Sequence, residues 1–370
     1  MEKLVMQNLF GGVYQGKTVM ITGHTGFKGS WLALWLHEMG AKVIGYSLPP
    51  PTEPNHFSLL NLDIVSIIGD IRDLNKLNET FTTFKPEIVF HLAAQPLVKL
   101  SYENPIETYE TNVMGTLKVF EACRMHNIKA IVNITSDKAY ENREWVWGYR
   151  ENDPMGGYDP YSSSKGCADL LANSYRSSYF NPSEYKKSHH TLLASCRAGN
   201  VIGGGDWAKD RLMTDIMLSV SSDKKVSIRN PDATRPWQHV LEPLSGYLAI
   251  GQKLLEEKVG FGEAWNFGPS DEGSITVEEV VHYVKKHWEK TDYKITRDPN
   301  QPHEANLLKL DCSKAHILLK WKDVWDSEAT FEKTVQWYKS YYEESQTVLT
   351  KQDLVSYVAD AKAKNIEWGK

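Results

Sequence analysis

The chain has 370 residues, of which 41% are hydrophobic and 24% are charged. This length suits one large α/β unit with a smaller lobe, and the composition is that of a folded globular protein rather than a disordered one. The formal net charge of −5 excludes a general attraction to nucleic acid, so an anionic ligand needs local cationic groups.

Signals for membranes, export and metals are the next features to consider. The sequence has no apolar run of membrane-spanning length, and its first residues, MEKLVMQNLFGG, lack the cationic start and apolar core of a signal peptide. We therefore expect a cytoplasmic protein with no membrane partner. The four cysteines are widely separated and show no ligand spacing, so we expect reduced thiols and no metal site.

Short apolar runs alternate with helical patterns through the first half of the chain. The runs predict strands at 18–22, 42–47, 64–69, 88–92 and 130–135. Helices are predicted near 30–39, 74–84, 105–126 and 161–179. Nearly apolar strands separated by helices predict an α/β fold with a Rossmann-type, doubly wound parallel sheet.

The pattern changes after about residue 195. The run 203–205 is all glycine and 230–236 contains proline, so both are predicted to be loops, whereas 275–366 is mostly helical and rich in Trp and Tyr. We predict an NAD-binding Rossmann domain over 17–198, to which 237–268 return. Residues 199–236 and 269–366 are predicted to form a smaller mixed α/β substrate lobe at the carboxyl edge of the sheet, where such sheets bind ligands.

A glycine-rich turn, GHTGFKG, follows the first predicted strand. Its first glycine permits a tight turn, its second lets the backbone approach a pyrophosphate, and its third lets the helix pack on the strand. The helix N-terminus then offers N–H groups to phosphates. Many loops contain three glycines, but this position predicts a dinucleotide site whose candidate residues are Gly23, His24, Thr25, Gly26, Phe27, Lys28 and Gly29.

Two other strand ends are consistent with this site, although each also reads as a plain turn. Asp70, followed by Ile71, can accept a hydrogen bond from an adenine amino group. Leu92, Ala93 and Ala94 leave room for a ribose. We predict NAD as the cofactor. The second strand ends GYSL, without the acid that usually binds the ribose hydroxyls, so this position does not separate NAD from NADP.

Tyr161 and Lys165 are four residues apart in PYSSSK, so a helix places both on one face. A neighbouring ammonium and an oxidised nicotinamide favour the phenolate, and we expect the pKa of Tyr161 to fall from about 10. A surface Tyr/Lys pair is the alternative interpretation. Ser136 follows the fifth strand and can hydrogen-bond a substrate hydroxyl, so the three residues suit hydride removal from a secondary alcohol.

These motifs together resemble the extended short-chain dehydrogenase/reductase family over roughly residues 17–340. The resemblance rests on GHTGFKG, GDIRD, HLAAQ, TNVMGT, ITSDKAY, YSSSK, RAGNVIGGGD and TRPWQHV. Within the family the chain is similar to the nucleotide-sugar 4,6-dehydratases. This implies that Tyr161 takes the proton of the sugar 4-hydroxyl while C4 gives hydride to NAD. Water then leaves across C5 and C6, and the hydride returns to C6.

The residues after Ser136 bear on the elimination. In dTDP-glucose dehydratases an Asp-Glu pair provides the acid and the base, whereas this chain has Asp137 and Lys138 at the matching positions. The resemblance implies that Asp137 is the acid, with a pKa raised by burial, and that Lys138 is the C5 base or an electrostatic stabiliser. This departure favours CDP-glucose over dTDP-glucose as substrate, with CDP-4-keto-6-deoxyglucose as product. A simple turn pair is the structural alternative.

The resemblance also implies substrate contacts and a partner. Arginine suits a diphosphate. The expected substrate-binding residues are Gln95, Asn200, Arg211 and Arg235. The last three also have a structural interpretation. Helices 105–126 and 161–179 are expected to form a four-helix bundle in a homodimer, unless one subunit covers them itself. The expected pathway is deoxysugar synthesis for a bacterial surface polysaccharide, such as the O-antigen of lipopolysaccharide.

Two other function classes remain open at this point. A nucleotide-sugar 4-epimerase uses the same fold but needs no acid and base at C6 and C5, so Asp137 and Lys138 argue against it. A non-catalytic NAD-sensing protein does not need Tyr161 and Lys165, which are both present.

Overall fold

The computed structural model describes residues 2–228, 231–270, 274–296 and 307–370. Its strands are β1 Thr18–Thr22, β2 Lys42–Ser47, β3 Val65–Ile68, β4 Ile88–His91, β5 Ala130–Ile134, β6 Leu192–Ala198, β7 Asn200–Ile202, β8 Val226–Ile228, β9 Thr234–His239, β10 Ala264–Phe267, β11 Ser274–Thr276 and β12 Tyr293–Ile295. Its α-helices are α1 Glu2–Asn8, α2 Phe27–Glu38, α3 His56–Leu60, α4 Leu74–Phe84, α5 Val98–Glu103, α6 Pro105–Tyr109, α7 Thr116–Met125, α8 Pro160–Ser178, α9 Leu212–Ser221, α10 Leu241–Leu255, α11 Val277–His287, α12 Ser327–Glu343 and α13 Thr350–Ala363.

Seven strands form a parallel sheet in the order β10-β6-β5-β4-β1-β2-β3. The order 3-2-1-4-5-6 is that of the doubly wound dinucleotide-binding sheet, and β10 extends it by one strand. The predicted fold class is therefore confirmed. The observed bounds of β1, β2 and α4 are those predicted, because turn-forming residues delimit these elements on both sides.

Both faces of the sheet are buried, as its apolar strands require. Along β1, Val19 and Ile21 pack in one hydrophobic cluster and Met20 packs in the cluster on the opposite face. Alternate side chains of a strand point to opposite faces, so β1 contributes to both layers of helices. This double cover fixes the strand ends that carry the site.

A smaller group of elements has a hydrophobic cluster of its own. Strands β11, β9 and β7 form one sheet, β12 and β8 pair in another, and α9, α11 and α12 pack beside them. Thr276 and Glu279 form a capping box at the start of α11. The predicted lobe also includes residues 229–230, 271–273 and 297–306, which lie outside the described residues. The domain boundaries therefore stay a prediction.

The last part of the chain packs on the large sheet. Apolar side chains of 315–325 and 354–368 belong to the hydrophobic cluster that contains α2, although the sequence analysis assigned these residues to the substrate lobe. The indole of Trp368 stacks on Phe10, with ring centroids 5.2 Å apart. The buried Glu242 carboxylate accepts hydrogen bonds from the backbone N–H groups of Val324 and Trp325 and from the Tyr357 hydroxyl.

Two features that other protein classes need are missing from the described ranges. None of the helices there combines the length and the apolar character of a membrane span. In the same ranges, His, Cys, Asp and Glu side chains form no group of three that could hold a metal ion.

Candidate active site

The candidate site lies where four neighbouring strands of the large sheet end. Gly23 follows β1, Leu92 follows β4, Thr135 follows β5 and Gly199 follows β6. Parallel strands present their carboxyl ends at one edge, so the sequence motifs after these strands converge. Helix α8, which precedes β6, brings Tyr161 and Lys165 to the same edge.

Two glycines of the turn are required for its packing against the rest of the fold. The third faces open space, and this space lets a dinucleotide approach the turn. Gly23 has φ +81°, and a Cβ there would lie 2.8 Å from the Ala93 nitrogen. A Cβ on Gly29 would lie 2.1 Å from the Gly23 oxygen. At Gly26, the N-cap of α2, the nearest atom to a Cβ would be 3.4 Å away. The first amides of α2 are thus approachable, as a pyrophosphate requires.

Two side chains of the turn attach it to β2 and β3. His24 is buried, its Nε2 lies 2.7 Å from the Ser66 hydroxyl, and burial lowers its pKa to about 4. The Thr25 hydroxyl lies 2.8 Å from that of Ser47 and donates to the Leu48 carbonyl. His24 and Thr25 were both predicted to bind the cofactor, and through these contacts they support the turn from behind. Phe27, also predicted, is the first residue of α2.

The remaining predicted cofactor-binding residues follow strands β3 and β4. The Asp70 carboxylate accepts hydrogen bonds from Nε and Nη2 of Arg72, which hold the pKa of Asp70 below its usual range. Ile71 is buried, and a Cβ on Gly115 would lie 2.6 Å from its Cδ1. The half-buried side chains after β4 line this edge at Leu92, Ala93 and Ala94.

Helix α8 is held close to the turn after β5. The Asp159 carboxylate caps the helix by accepting from the Ser162 N–H, and Pro160 occupies the first turn. A Cβ on Gly166 would lie 2.6 Å from the Gly156 oxygen and 3.1 Å from the Ala139 oxygen. Glycine is therefore needed at 166 for α8 to approach this turn.

Tyr161 lies near Ser136, whose hydroxyl acts on its pKa. Burial raises the pKa of Tyr161 to about 12, whereas Ser136 and the charge of Arg211 act to lower it. The pKa is raised because the phenol lies in a poorly solvated site, and Asp137 adds a negative charge that also disfavours the phenolate. The predicted fall in this pKa depends on an oxidised nicotinamide as well, so it stays a prediction.

Lys165 is buried one turn further along α8. Its ammonium donates to the Ile134 carbonyl at 3.4 Å. Burial lowers the pKa of Lys165 to about 8, and the nearby Asp169 carboxylate opposes this effect. At neutral pH the side chain therefore remains mainly a cation.

Asp137 is buried within the same group. It accepts a hydrogen bond of 2.9 Å from the Ser136 hydroxyl, and its Oδ2 would lie 3.2 Å from a Cβ on Gly199. Burial raises the pKa of Asp137, although Lys138 and the bond from Ser136 oppose this. The Lys138 side chain is half-buried. The backbone N–H of Lys138 donates to the Ser136 hydroxyl at 3.2 Å. A buried carboxyl group with a raised pKa is suited to donate a proton.

The structure brings only some of the predicted substrate residues to the catalytic group. Arg211 pairs with Asp206 at 2.6 Å, and its charge acts on Tyr161. Arg235 is half-buried on β9 and donates to the Thr234 carbonyl at 2.8 Å.

The other two predicted substrate residues have structural surroundings of their own. Asn200 is half-buried at the start of β7, in register with Trp237. The Gln95 amide donates to Thr108 and Leu97, so Gln95 supports the loop after β4.

Two residues of the quoted sequence motifs have contacts in the site that the motifs themselves do not indicate. Lys28, predicted as part of the cofactor turn, lies close enough to Asp137, Lys165 and Arg211 for charge interactions, and burial lowers its pKa to about 7. Asn112 lies in the π-helical segment 110–115 and donates to the Ser164 hydroxyl at 2.9 Å. A polar residue buried inside a predicted helix was the signal that could have identified Asn112.

Comparisons with known proteins agree with this arrangement. The family described as GDP-mannose 4,6 dehydratase matches residues 20–335. A CDP-glucose 4,6-dehydratase of Salmonella typhimurium is 56% identical over 94% of this chain and 97% of that protein.

Two solved structures share the fold. The epimerase Mth375 of Methanothermobacter thermautotrophicus has a TM-score of 0.76 at 23% identity, covering 94% of this chain and 98% of its own. The dTDP-glucose 4,6-dehydratase of Bacillus anthracis, in complex with NAD, has a TM-score of 0.73 at 22% identity, covering 89% and 98%.

Proposed function

The chain belongs to the GDP-mannose 4,6-dehydratase family, and on that premise we propose that it is a hydro-lyase that uses NAD to convert CDP-glucose into CDP-4-keto-6-deoxyglucose. The observation that carries this proposal is the buried Asp137, hydrogen-bonded to Ser136 beside Tyr161. Oxidation of a sugar alcohol needs only the serine, tyrosine and lysine, whereas elimination of a hydroxyl needs an additional acid. The 56% identity to the Salmonella typhimurium enzyme supports the choice of CDP-glucose.

NAD suits the glycine turn for reasons of shape. Gly23 and Gly29 allow the turn to pack against Ala93 and α2, and Gly26 leaves space at the first amides of α2. These groups would hold the pyrophosphate, and Asp70 with Ile71 would lie towards the adenine. When bound, NAD supplies the hydride acceptor for C4 of the sugar and the hydride donor for C6.

The side chains of this chain divide the proton transfers among them. Tyr161 takes the proton of the 4-hydroxyl, and Ser136 hydrogen-bonds the same oxygen. The charge of Arg211 favours the phenolate, which burial disfavours, and we assign the same effect to the charge of Lys165 four residues along the helix. Because the pKa of Tyr161 is about 12 in the protein alone, the cationic nicotinamide would provide the further stabilisation that the phenolate needs.

Elimination then requires an acid and a base. The raised pKa of Asp137 keeps a proton available for the departing 6-hydroxyl. Lys138, next to it in the turn, removes the C5 proton, which the 4-ketone has made acidic. The oxygen atom leaves as water, C6 is then the position that receives hydride, and Lys138 returns the proton to C5.

The substrate diphosphate requires cations, and two arginines of this chain provide them. Arg211 already lies near Tyr161, and Arg235 lies on β9, whose Trp237 is in register with Asn200. We assign the nucleotide to the lobe formed by 199–236 and 269–366, and the cofactor to 17–198 with 237–268. Gln95 shapes the loop between them.

The chain is also proposed to act as a cytoplasmic homodimer in deoxysugar synthesis for a surface polysaccharide such as an O-antigen. Support for the dimer comes from the helices α6 to α8. Three apolar side chains there are exposed, Ile106 by 75%, Leu170 by 57% and Met114 by 46%. An apolar groove of about 410 Å³ runs between Ile106 and Cys167. A four-helix bundle with the same helices of a second subunit would cover this face.

One assay tests the proposed function. The purified protein is incubated with NAD and either CDP-glucose, dTDP-glucose or UDP-glucose, and the products are identified by mass and by NMR. Loss of one water from CDP-glucose with a 4-keto signal is expected. Faster dehydration of dTDP-glucose would reassign the nucleotide, and an inverted C4 centre without loss of water would identify an epimerase. No conversion of any sugar would contradict the proposal.

A further inference from the structure

A buried ion pair lies behind the catalytic group. Arg197 on β6 and Asp169 on α8 have side chains that are only 6% and 1% exposed. Nε and Nη2 of the guanidinium each lie 3.1 Å from a carboxylate oxygen of Asp169, which is the two-point geometry of a strong pair. Two charges buried at this depth need complete hydrogen bonding, so their other partners show what the pair holds in place.

One of those partners is the Glu151 carbonyl, 3.0 Å from Nη1 of Arg197, and the others are the two ends of the catalytic turn. Thr135, immediately before Ser136, donates its hydroxyl to Asp169 at 2.6 Å. Tyr140, which ends the turn, accepts a hydrogen bond of 2.6 Å from Nη1 of Arg197. The guanidinium also lies over the Tyr140 ring, 4.8 Å from its centroid. The ion pair therefore joins both ends of the segment that carries Ser136, Asp137 and Lys138.

The same pair also reaches the catalytic helix. Asp169 follows Lys165 by four residues on α8, so the two side chains share a face of the helix. The carboxylate favours the charged form of Lys165. Other charged or titratable groups that act on Lys165 or are acted on by it come from neighbouring elements: Lys28 on α2 and His91 on β4.

We propose that Asp169 and Arg197 are positioning residues that hold the turn 135–140 in one fixed arrangement, and that the Asp169 carboxylate, on the same helix face as the catalytic lysine, keeps that lysine charged. This inference rests on the proposed function and adds two residues to it. Neither side chain is accessible to the sugar. Asp169 acts through Lys165 and Thr135, and Arg197 acts through Tyr140 and Asp169.

The test uses the full-length protein and the variant Asp169→Asn, which keeps the shape but removes the charge. Lysine labelled with ¹³C at Cε is followed by NMR against pH, and the Lys165 signal is assigned by its loss in Lys165→Met. We expect the Lys165 midpoint to fall by about 1 pH unit or more. In the profile of kcat/KM against pH, the alkaline limb should move to lower pH by a similar amount, because Lys165 loses its proton at lower pH.

Two further variants separate positioning from stability. Arg197→Lys keeps the charge but loses the second contact, and we expect kcat to fall on the order of 100-fold through misplacement of the turn. Asp353→Asn is the matched control, because Asp353 is a buried carboxylate that pairs with Lys333 at 3.6 Å on a different helix. This control should leave both the Lys165 midpoint and the alkaline limb unchanged.

Each result decides a separate question. An unchanged Lys165 midpoint in Asp169→Asn would overturn the inference, as would kcat in Arg197→Lys within a few-fold of the wild type. The NMR titration needs no turnover, so it measures the effect of Asp169 on Lys165 even in a protein that converts no sugar. Absence of turnover in the wild type would contradict the proposed function alone.

Discussion

The backbone oxygen of Gly23 occupies the place that a side chain on Gly29 would need, because a Cβ there would lie 2.1 Å from it. Gly29→Ala must therefore displace α2 or the turn, and we expect a loss of about 1–3 kcal/mol in the free energy of unfolding. Cofactor binding should weaken with it. Chemical denaturation and NAD titration by calorimetry would measure both effects.

Gly26→Ala is the matched variant, since its Cβ would have no neighbour nearer than 3.4 Å. The free energy of unfolding should stay within about 1 kcal/mol of the wild type, because the change creates no overlap with the protein. NAD affinity should nevertheless fall, since the methyl group projects where the pyrophosphate approaches. Unaltered affinity in Gly26→Ala would show that NAD does not bind over this turn.

Tyr161→Phe removes one hydroxyl that lies near Ser136. We expect kcat to fall by about 10³-fold or more, since no other group is proposed to take the 4-hydroxyl proton. NAD affinity should change little, because the proposed cofactor contacts lie mainly in the glycine turn. The measurement is turnover of CDP-glucose together with NAD titration. Activity near that of the wild type would remove Tyr161 from the mechanism.

Lys138→Ala tests the second half of the reaction. The variant should still oxidise C4 but should release water at least about 100-fold more slowly, because the C5 proton has lost its base. Mass spectrometry after a rapid quench should then detect a 4-keto sugar that retains its 6-hydroxyl. Lys28→Ala is a useful comparison because Lys28 also lies near Asp137, with a pKa of about 7. Build-up of this intermediate in Lys28→Ala alone would reassign the base.

His56 predicts a loss of stability in acid. Its ring is buried between the hydroxyls of Ser30 and Thr350, and burial lowers its pKa to about 3. Below the unfolded pKa of about 6.5 only the unfolded chain binds the proton, so the free energy of unfolding falls as pH decreases. The loss is about 2 kcal/mol between pH 6.5 and 5.

His56→Gln should therefore have a smaller difference in unfolding free energy between pH 7 and pH 5 than the wild type, although it is less stable at pH 7. Urea denaturation at both pH values measures this. The exposed His282→Gln serves as the control and should keep the wild-type difference. Equal differences in the wild type and His56→Gln would contradict the prediction.

The double variant Ile106→Glu with Leu170→Glu places two charges on the exposed apolar face of α6 and α8. If two copies of this face meet, the charges would be buried against each other and the dimer should dissociate. Sedimentation velocity would show a change from dimer to monomer. Leu218→Glu, at a site 39% exposed on α9, should leave the assembly unchanged. A double variant that sediments like the wild type would reject this interface.

The sequence predicted the sheet well because its strands are apolar and end in glycine or polar turns. It also predicted the convergence of Ser136, Tyr161 and Lys165, since strand order fixes which motifs meet. The same reasoning did not reveal Asp169 and Arg197, because the pairing of two charges far apart in the sequence depends on tertiary packing. The extent of burial of Tyr161, which raises its pKa, was also not predictable, because spacing does not indicate how well a phenol is solvated.

The packing of the tryptophan-rich last part of the chain was also not predictable from the sequence. Helical periodicity predicts which face of α13 is buried but not which of two hydrophobic clusters receives it. Tyr357 stacks on Trp368 and meets Trp35 edge to face, so these rings complete the cluster on α2. The Trp and Tyr content, the charge and the helical pattern of 275–366 together had suggested a smaller lobe on the sheet edge, and the domain boundaries stay a prediction.

The stacking of Phe10 on Trp368 has a consequence for biosynthesis. Translation delivers Phe10 358 residues before Trp368. Until Trp368 has emerged from the ribosome, β1 and α2 lack one layer of their hydrophobic cover. We therefore expect the cofactor half to mature only after that point, and a ribosome stalled before residue 350 should present a protease-sensitive chain.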